Sequence, residues 1–337
     1  MHVDIKTTSV TQIRQTFSHV ARRLGGDKPA SRYQEATFDL QPTANFHYRP
    51  LWQPEMEIYD VRRTALVMQD WYAFRDPRQY YYGTYTMTRA RQQEAMEKSI
   101  DFVEKRGLLR DLPAAVRQQL IFALVPLRHV EWGANTNNCY ITAYGYGTAI
   151  TQATMFQTMD CLGLAQYLSR IGLLLDGNTG ASLAQGKTLW LEHPAWQGLR
   201  RLVERMMVTP DWFELFVAQN LVLDGLLQPL VFQHYERRIS TEHGPALSLV
   251  TEFMTHWFDE TARWVDATIK TAVAESPANA ELLHGWTTHW REAVQQALEP
   301  YAAEIFGDDA GAMLALVNTA FETRVGKLGL SVAGMPA

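Results

Sequence analysis

The sequence predicts an all-α protein. Apolar residues recur at three- and four-residue steps from about residue 57 onward. No run of period-two alternation is long enough to demand a sheet. No proline occurs between Pro126 and Pro194, which leaves room for long helices. Together these observations give roughly eight to ten helices, several of them long. At 337 residues the chain suits one large domain or two smaller ones, with a well-covered core.

Residues 1–55 differ from the rest. The stretch "FDLQPTANFHYRPLWQPEMEIYD" carries Pro42, Pro50 and Pro54 and no steady helical period; proline disfavours helix at its own position and just before it. Phe38, Phe46, Tyr48, Leu51 and Trp52 make the segment too apolar for a solvated tail. It is expected to be an extended N-terminal arm lying across a surface, its own or a partner's, ahead of a helical domain over 56–337.

In "DVRRTALVMQDWYAFRDP", Val61, Leu66, Met68, Trp71 and Phe74 fall at helical steps. Asp76-Pro77 opens the next helix, which stops at Gly107. Asp111 caps a following helix that Pro126 must end or kink. A long helix is expected through 135–175, where Gly145 and Gly147 mark a close approach or a bulge. "DGNTGAS" at 176–182 is a turn. Thr209 caps the next helix, with Pro210 just inside it. Helices over 244–276, 278–307 and 312–330 complete the chain.

Composition narrows the function. Apolar residues make up 47% and charged residues 20%, ordinary for a folded soluble protein. The net charge of −5 and pI of about 6.1 give nucleic acid no electrostatic support. Cys139 and Cys161 form no CxxC pair, which excludes a disulfide framework or a cysteine zinc site and suits a reducing cytoplasm. Both cysteines are expected to be buried packing residues. The first residues lack a signal-peptide core, and no membrane span is apparent. The expected setting is cytoplasmic, with neither nucleic acid nor membrane as partner. Ten tryptophans, fourteen tyrosines and fourteen phenylalanines imply large packed cores or interfaces.

One stretch raises a catalytic question. In "TEFMTHWFDETARW", Glu252, His256 and Glu260 stack on one helical face. Carboxylates and imidazoles on helices are how bundles hold paired iron atoms, through lone glutamates and Glu-x-x-His pairs. Glu-x-x-His occurs once, at Glu281–His284, and supplies half a site; His289 and Glu292 stand in reversed order. No HExxH, GxSxG, phosphate loop or dinucleotide fingerprint is present. Residue types alone show no catalytic apparatus.

Three stretches carry a family resemblance: "WYAFRDPRQYYYGTYT" (71–86), "EWGANTNNCYITAYGYGTAITQATMFQTMDCLGLAQYLSRI" (131–171) and "QNLVLDGLLQPLVFQHYERR" (219–238). They resemble the hydroxylase β subunits of bacterial multicomponent di-iron monooxygenases, phenol hydroxylases first and toluene monooxygenases next. The Arg-Asp-Pro and tyrosine segment is the most specific. The resemblance implies a ferritin-like bundle, related to the ribonucleotide-reductase family, that lacks the di-iron site and is non-catalytic by itself. It implies a metal-bearing α subunit, a γ subunit and an (αβγ)2 assembly. A regulatory protein and an NADH-dependent reductase, carrying flavin and an iron–sulfur cluster, would serve an aromatic monooxygenase.

The same resemblance places the vestigial ligand positions at Glu131, Cys161, Leu164, Asp224, Phe258 and Thr261, both histidine slots being lost. A slip of one turn would bring Asp160, His256, Asp259 or Glu260 inward instead. His129, Arg128, Asn135 or Asn138 are the expected partners of the two surviving acids. Phe46, Tyr48, Trp52, Arg75, Asp76, Tyr80, Tyr81, Tyr82 and Tyr85 are the expected partner-contacting residues. Two other readings stay open: a self-sufficient di-iron oxidase using Glu252, His256, Glu281 and His284, and a helical scaffold unrelated to oxygenases.

Overall fold

The computed structural model describes residues 16–25, 28–40 and 49–330. Helix α1 spans Ser18–Leu24 and α2 Arg32–Thr37, so part of the segment expected to be extended is helical. Ser31 and Gln34 close α2 with a reciprocal capping box, and Tyr33, Thr37 and Phe38 are buried. The remaining helices are α3 Tyr82–Lys105, α4 Ala114–Leu124, α5 Leu127–Tyr144, α6 Thr148–Asp176, α7 Ala181–Glu192, α8 Pro194–Met207, α9 Trp212–Phe216, α10 Asp224–Pro229, α11 Glu236–His243, α12 Ala246–Glu275, α13 Pro277–Phe306 and α14 Ala310–Gly326. No strand occurs among the described residues.

The breaks have local causes. Pro126 separates α4 from α5, because proline cannot donate into the ladder. The long helix expected through 135–175 is divided between Tyr144 and Thr148. Gly147 holds φ +89° there, a conformation that side chains resist. The 176–182 turn uses Gly177, Asn178 and Gly180 at positive φ.

Three expectations fail. Residues 61–74 form only a short 3-10 turn, Val61–Arg63, and α3 starts at Tyr82 rather than at Asp76-Pro77. The Asp76 carboxylate is engaged by Arg78 through its backbone N–H and its guanidinium, which stabilises a turn in place of a helix start. Asp211, not Thr209, caps α9 by accepting from the amides of Phe213 and Glu214.

Helices α9, α10 and α11 join into one continuous rod, Trp212–His243, through two π-helical stretches, Val217–Leu223 and Leu230–Tyr235. This rod is long and apolar enough to cross a membrane by length and composition, but it lies inside the fold. The rod and α8 pack on α5, α5 pairs with α6, and α12 packs on α10 and on both π stretches. Trp257 of α12 reaches Asp160 of α6 and closes the ferritin-like bundle. Helices α13 and α14 cover one side of it. Trp196, Trp212, Trp257, Trp264 and Trp290 are all fully buried, so much of the aromatic content is core.

Candidate functional site

The bundle interior holds a polar seam. Glu131 of α5, Cys161 of α6 and Asp224 of α10 are at most 6% exposed. Burial pushes the Glu131 carboxyl well above its ordinary range, and the neighbouring Asp224 charge adds to that. The Cys161 thiol is raised by burial and by the same two carboxylates. Asp224 is raised to about 7 by burial, with Gln219 and Arg324 opposing.

Glutamine amides serve these acids. Gln228 Nε2 donates to Glu131 Oε1 at 2.8 Å, and Gln219 Nε2 donates to Asp224 Oδ1 at 2.8 Å. Gln219 and Asp224 are five residues apart, about 140° around an α-helix. The π stretch between them changes that angle, because its turns close at i+5. The amide ladder continues as Asn137 Nδ2 donates to Gln219 Oε1 at 2.9 Å. His129, Arg128, Asn135 and Asn138, the expected partners, bond elsewhere or stack. Asn135 donates to the Thr158 carbonyl, Arg128 donates to the Leu183 carbonyl, and His129 lies against Trp190. Asn138 faces Asn220.

The other positions that the resemblance places as vestigial are also interior. Leu164, Phe258 and Thr261 are buried in α6 and α12, and the Phe258 ring lies under Arg324. This donor set does not fit a dinuclear iron centre. Two carboxylates and one thiol approach each other, glutamines hold both acids, and leucine and threonine stand three residues beyond Cys161 and Phe258. Among the described residues, no group of three or more His, Cys, Asp or Glu has a metal-holding arrangement.

The self-sufficient oxidase is corrected by geometry. Glu252, His256 and Glu281 are exposed and His284 is half-buried. Helices α12 and α13 meet at Ser276. Glu252 therefore lies about 36 Å before the turn and Glu281 about 8 Å after it, too far apart to share an ion.

A second polar centre lies between α3, α6 and α12. Arg89 donates to Asp160 at 2.6 and 2.8 Å and to Glu260 at 3.0 and 3.2 Å. Tyr85 Oη and Trp257 Nε1 donate to Asp160 at 2.8 and 3.1 Å. Arg78 pairs with Asp76 at 2.9 Å and stacks on Trp264 and Tyr80. The slip candidates Asp160 and Glu260 are thus occupied by arginine, and Asp259 is exposed. A cavity of about 390 Å³ adjoins, lined in part by Arg89, Tyr167, Arg170 and Phe253. The sequence does not mark Arg89, Asp160, Glu260 and Trp257 as a network, because no spacing signal links residues from three distant helices.

Partner-contact expectations divide. Asp76, Tyr80 and Tyr85 are buried within the chain, the two tyrosines packing with Phe156; they are corrected to intrachain core, because the Arg78 and Arg89 pairs pull this segment inward. Trp52 and Tyr82 are 74% and 71% exposed, Arg75 is exposed, and Tyr81 is half-buried against Gly83. Phe46 and Tyr48 lie outside the described residues. Cys139 is exposed, contrary to expectation, while Cys161 is buried.

A family model described as Methane/Phenol/Alkene Hydroxylase matches residues 52–276. The chain belongs to this hydroxylase family. It is 52% identical over 330 residues to the phenol 2-monooxygenase oxygenase component DmpL of Pseudomonas sp. (strain CF600), covering 98% of each chain. The toluene-4-monooxygenase hydroxylase component subunit beta of Ectopseudomonas mendocina is 26% identical over 303 residues, covering 87% of this chain and 91% of that one. A crystal structure of xenon-pressurised phenol hydroxylase from Pseudomonas sp. OX1 superposes with a TM-score of 0.91 at 44% identity, covering 98% of this chain and all of that one. Similarity is thus higher to phenol than to toluene hydroxylase components, in the order that the residues suggested.

Proposed function

We propose that this chain is the non-catalytic β subunit of the hydroxylase component of an NADH-dependent phenol monooxygenase. Its work is to brace a metal-bearing α subunit within an (αβγ)2 assembly in the cytoplasm. The reductase that feeds this assembly would carry flavin and an iron–sulfur cluster. The observation that carries this reading is the interior of the bundle. Where a dinuclear centre needs imidazoles, this chain has an amide-capped pair of buried acids, a thiol and apolar filling. Such a core rigidifies without redox chemistry. The phenol 2-monooxygenase and toluene hydroxylase relatives support the substrate class.

Iron analysis tests it. The assembled hydroxylase should carry two irons for each αβ pair, and Glu131→Gln in this chain should leave that number and phenol turnover unchanged. Iron recovered with this chain after the subunits are separated, and lost in E131Q, overturns the reading.

A further inference from the structure

Residues 132–159 contain no Asp, Glu, Lys, Arg or His, although a fifth of the whole chain is charged. Half of this run is buried, and its exposed residues gather on one face of each helix. Trp132 of α5 is 55% exposed, and Cys139 and Ala143 follow it on the same helical face. On α6, Met155, Met159 and Leu162 are 44%, 38% and 44% exposed at i, i+4 and i+7. The opposite faces of the two helices carry Glu131, Asn138, Cys161 and Leu164 into the core.

We propose that this charge-free outer face of the α5–α6 hairpin is the docking site of the larger hydroxylase subunit, one helical layer on another. The inference rests on the proposed function and adds the surface. Interface centres are depleted of charge and enriched in aromatic residues and methionine, which describes this face. A partner surface complementary to it is equally uncharged, since desolvating an unpaired ion here gains nothing back. Extent favours a larger partner over a second copy. The stripes span about 17 Å on α5 and about 11 Å on α6, helices about 10 Å apart, on the order of 200–300 Å². That is the centre of an interface, not the ~800 Å² per side of a standard one. A bigger subunit can reach further, over Trp52 at the Tyr144 end of α5 and over Leu51, which is 94% exposed.

Cys139 is a built-in reporter, because Cys161 is buried. Maleimide labelling of the intact hydroxylase should leave Cys139 of this chain unmodified, whereas the chain expressed without its larger partner should label readily. The double variant Met155→Glu/Met159→Glu should lower co-purification with the larger subunit at least tenfold. Leu316→Glu, on the outer face of α14, should not. Should the double variant fail to fold by circular dichroism, Trp132→Ala together with the labelling decides. Equal labelling rates in the intact and separate states, or normal assembly of the glutamate variant, overturns the inference. Protection of Cys139 in a dimer of this chain alone also overturns it. If the parent chain assembles with no larger subunit, the proposed function falls first.

Discussion

Asn138 of α5 and Asn220 of the rod exchange two amide hydrogen bonds, at 3.1 and 3.0 Å, with at most 1% of either residue exposed. Each side chain satisfies the other, so the pair fixes the register of the two helices. Removing one partner leaves a buried amide unmet, which costs about 1–3 kcal/mol. Asn138→Leu should lower stability by that amount in urea unfolding. Asn138→Leu/Asn220→Leu should lose less than the sum of the single losses; strict additivity would show that the pair is not coupled.

Asp224 makes stability depend on pH. Its folded carboxyl is raised to about 7 by burial, against an ordinary value of 3.8. Between those values the folded chain holds a proton that the unfolded chain releases. The contribution is therefore fully present below about pH 4 and is lost as pH rises through 7, on the order of 4 kcal/mol in all. Asp224→Asn should gain on the parent progressively from about pH 4 to pH 7 and level off above that. A stability difference that stays constant across that window excludes this role.

Arg89 neutralises two acids at once. Burial opposes its charge, and Asp160 and Glu260 more than offset that. Arg89→Met strands both carboxylates and should cost about 3–5 kcal/mol. Asp160→Asn/Glu260→Gln, placed on top of Arg89→Met, should recover part of the loss. The measurement is thermal unfolding, and an unchanged melting temperature for Arg89→Met counts against the network.

Gly133 lets α8 approach α5. A Cβ there would overlap the Val203 side chain. Gly133→Ala should therefore destabilise by about 1–3 kcal/mol through overpacking, despite the better helix propensity of alanine. Val203→Ala should relieve much of it in the double variant, read from denaturant midpoints.

Helix class and chain breaks were legible because they depend on neighbours in sequence. Pro126 removes a donor wherever it sits, and the Gly177–Gly180 cluster turns the chain by its own backbone preference. The 61–74 segment was misread for the complementary reason. Trp71 and Phe74 sit at helical steps, but their packing against Trp212 and Phe213 holds an irregular path that no local period reveals. Gln219 and Gln228 were missed because an ordinary helix would not aim Gln219 at Asp224; the π stretch does.

By itself, the sequence determined that the chain is helical, that Pro126 and the 177–180 turn interrupt it, and that leucine and threonine, not histidine, stand three residues beyond Cys161 and Phe258. Those properties reside in residue identity and in the backbone preferences of proline and glycine. Only the tertiary structure decided which groups neutralise the interior acids, why Tyr80 and Tyr85 turn inward, and that Cys139 faces solvent. Charge compensation and burial depend on distance through space, and helices remote in the chain set those distances when they pack.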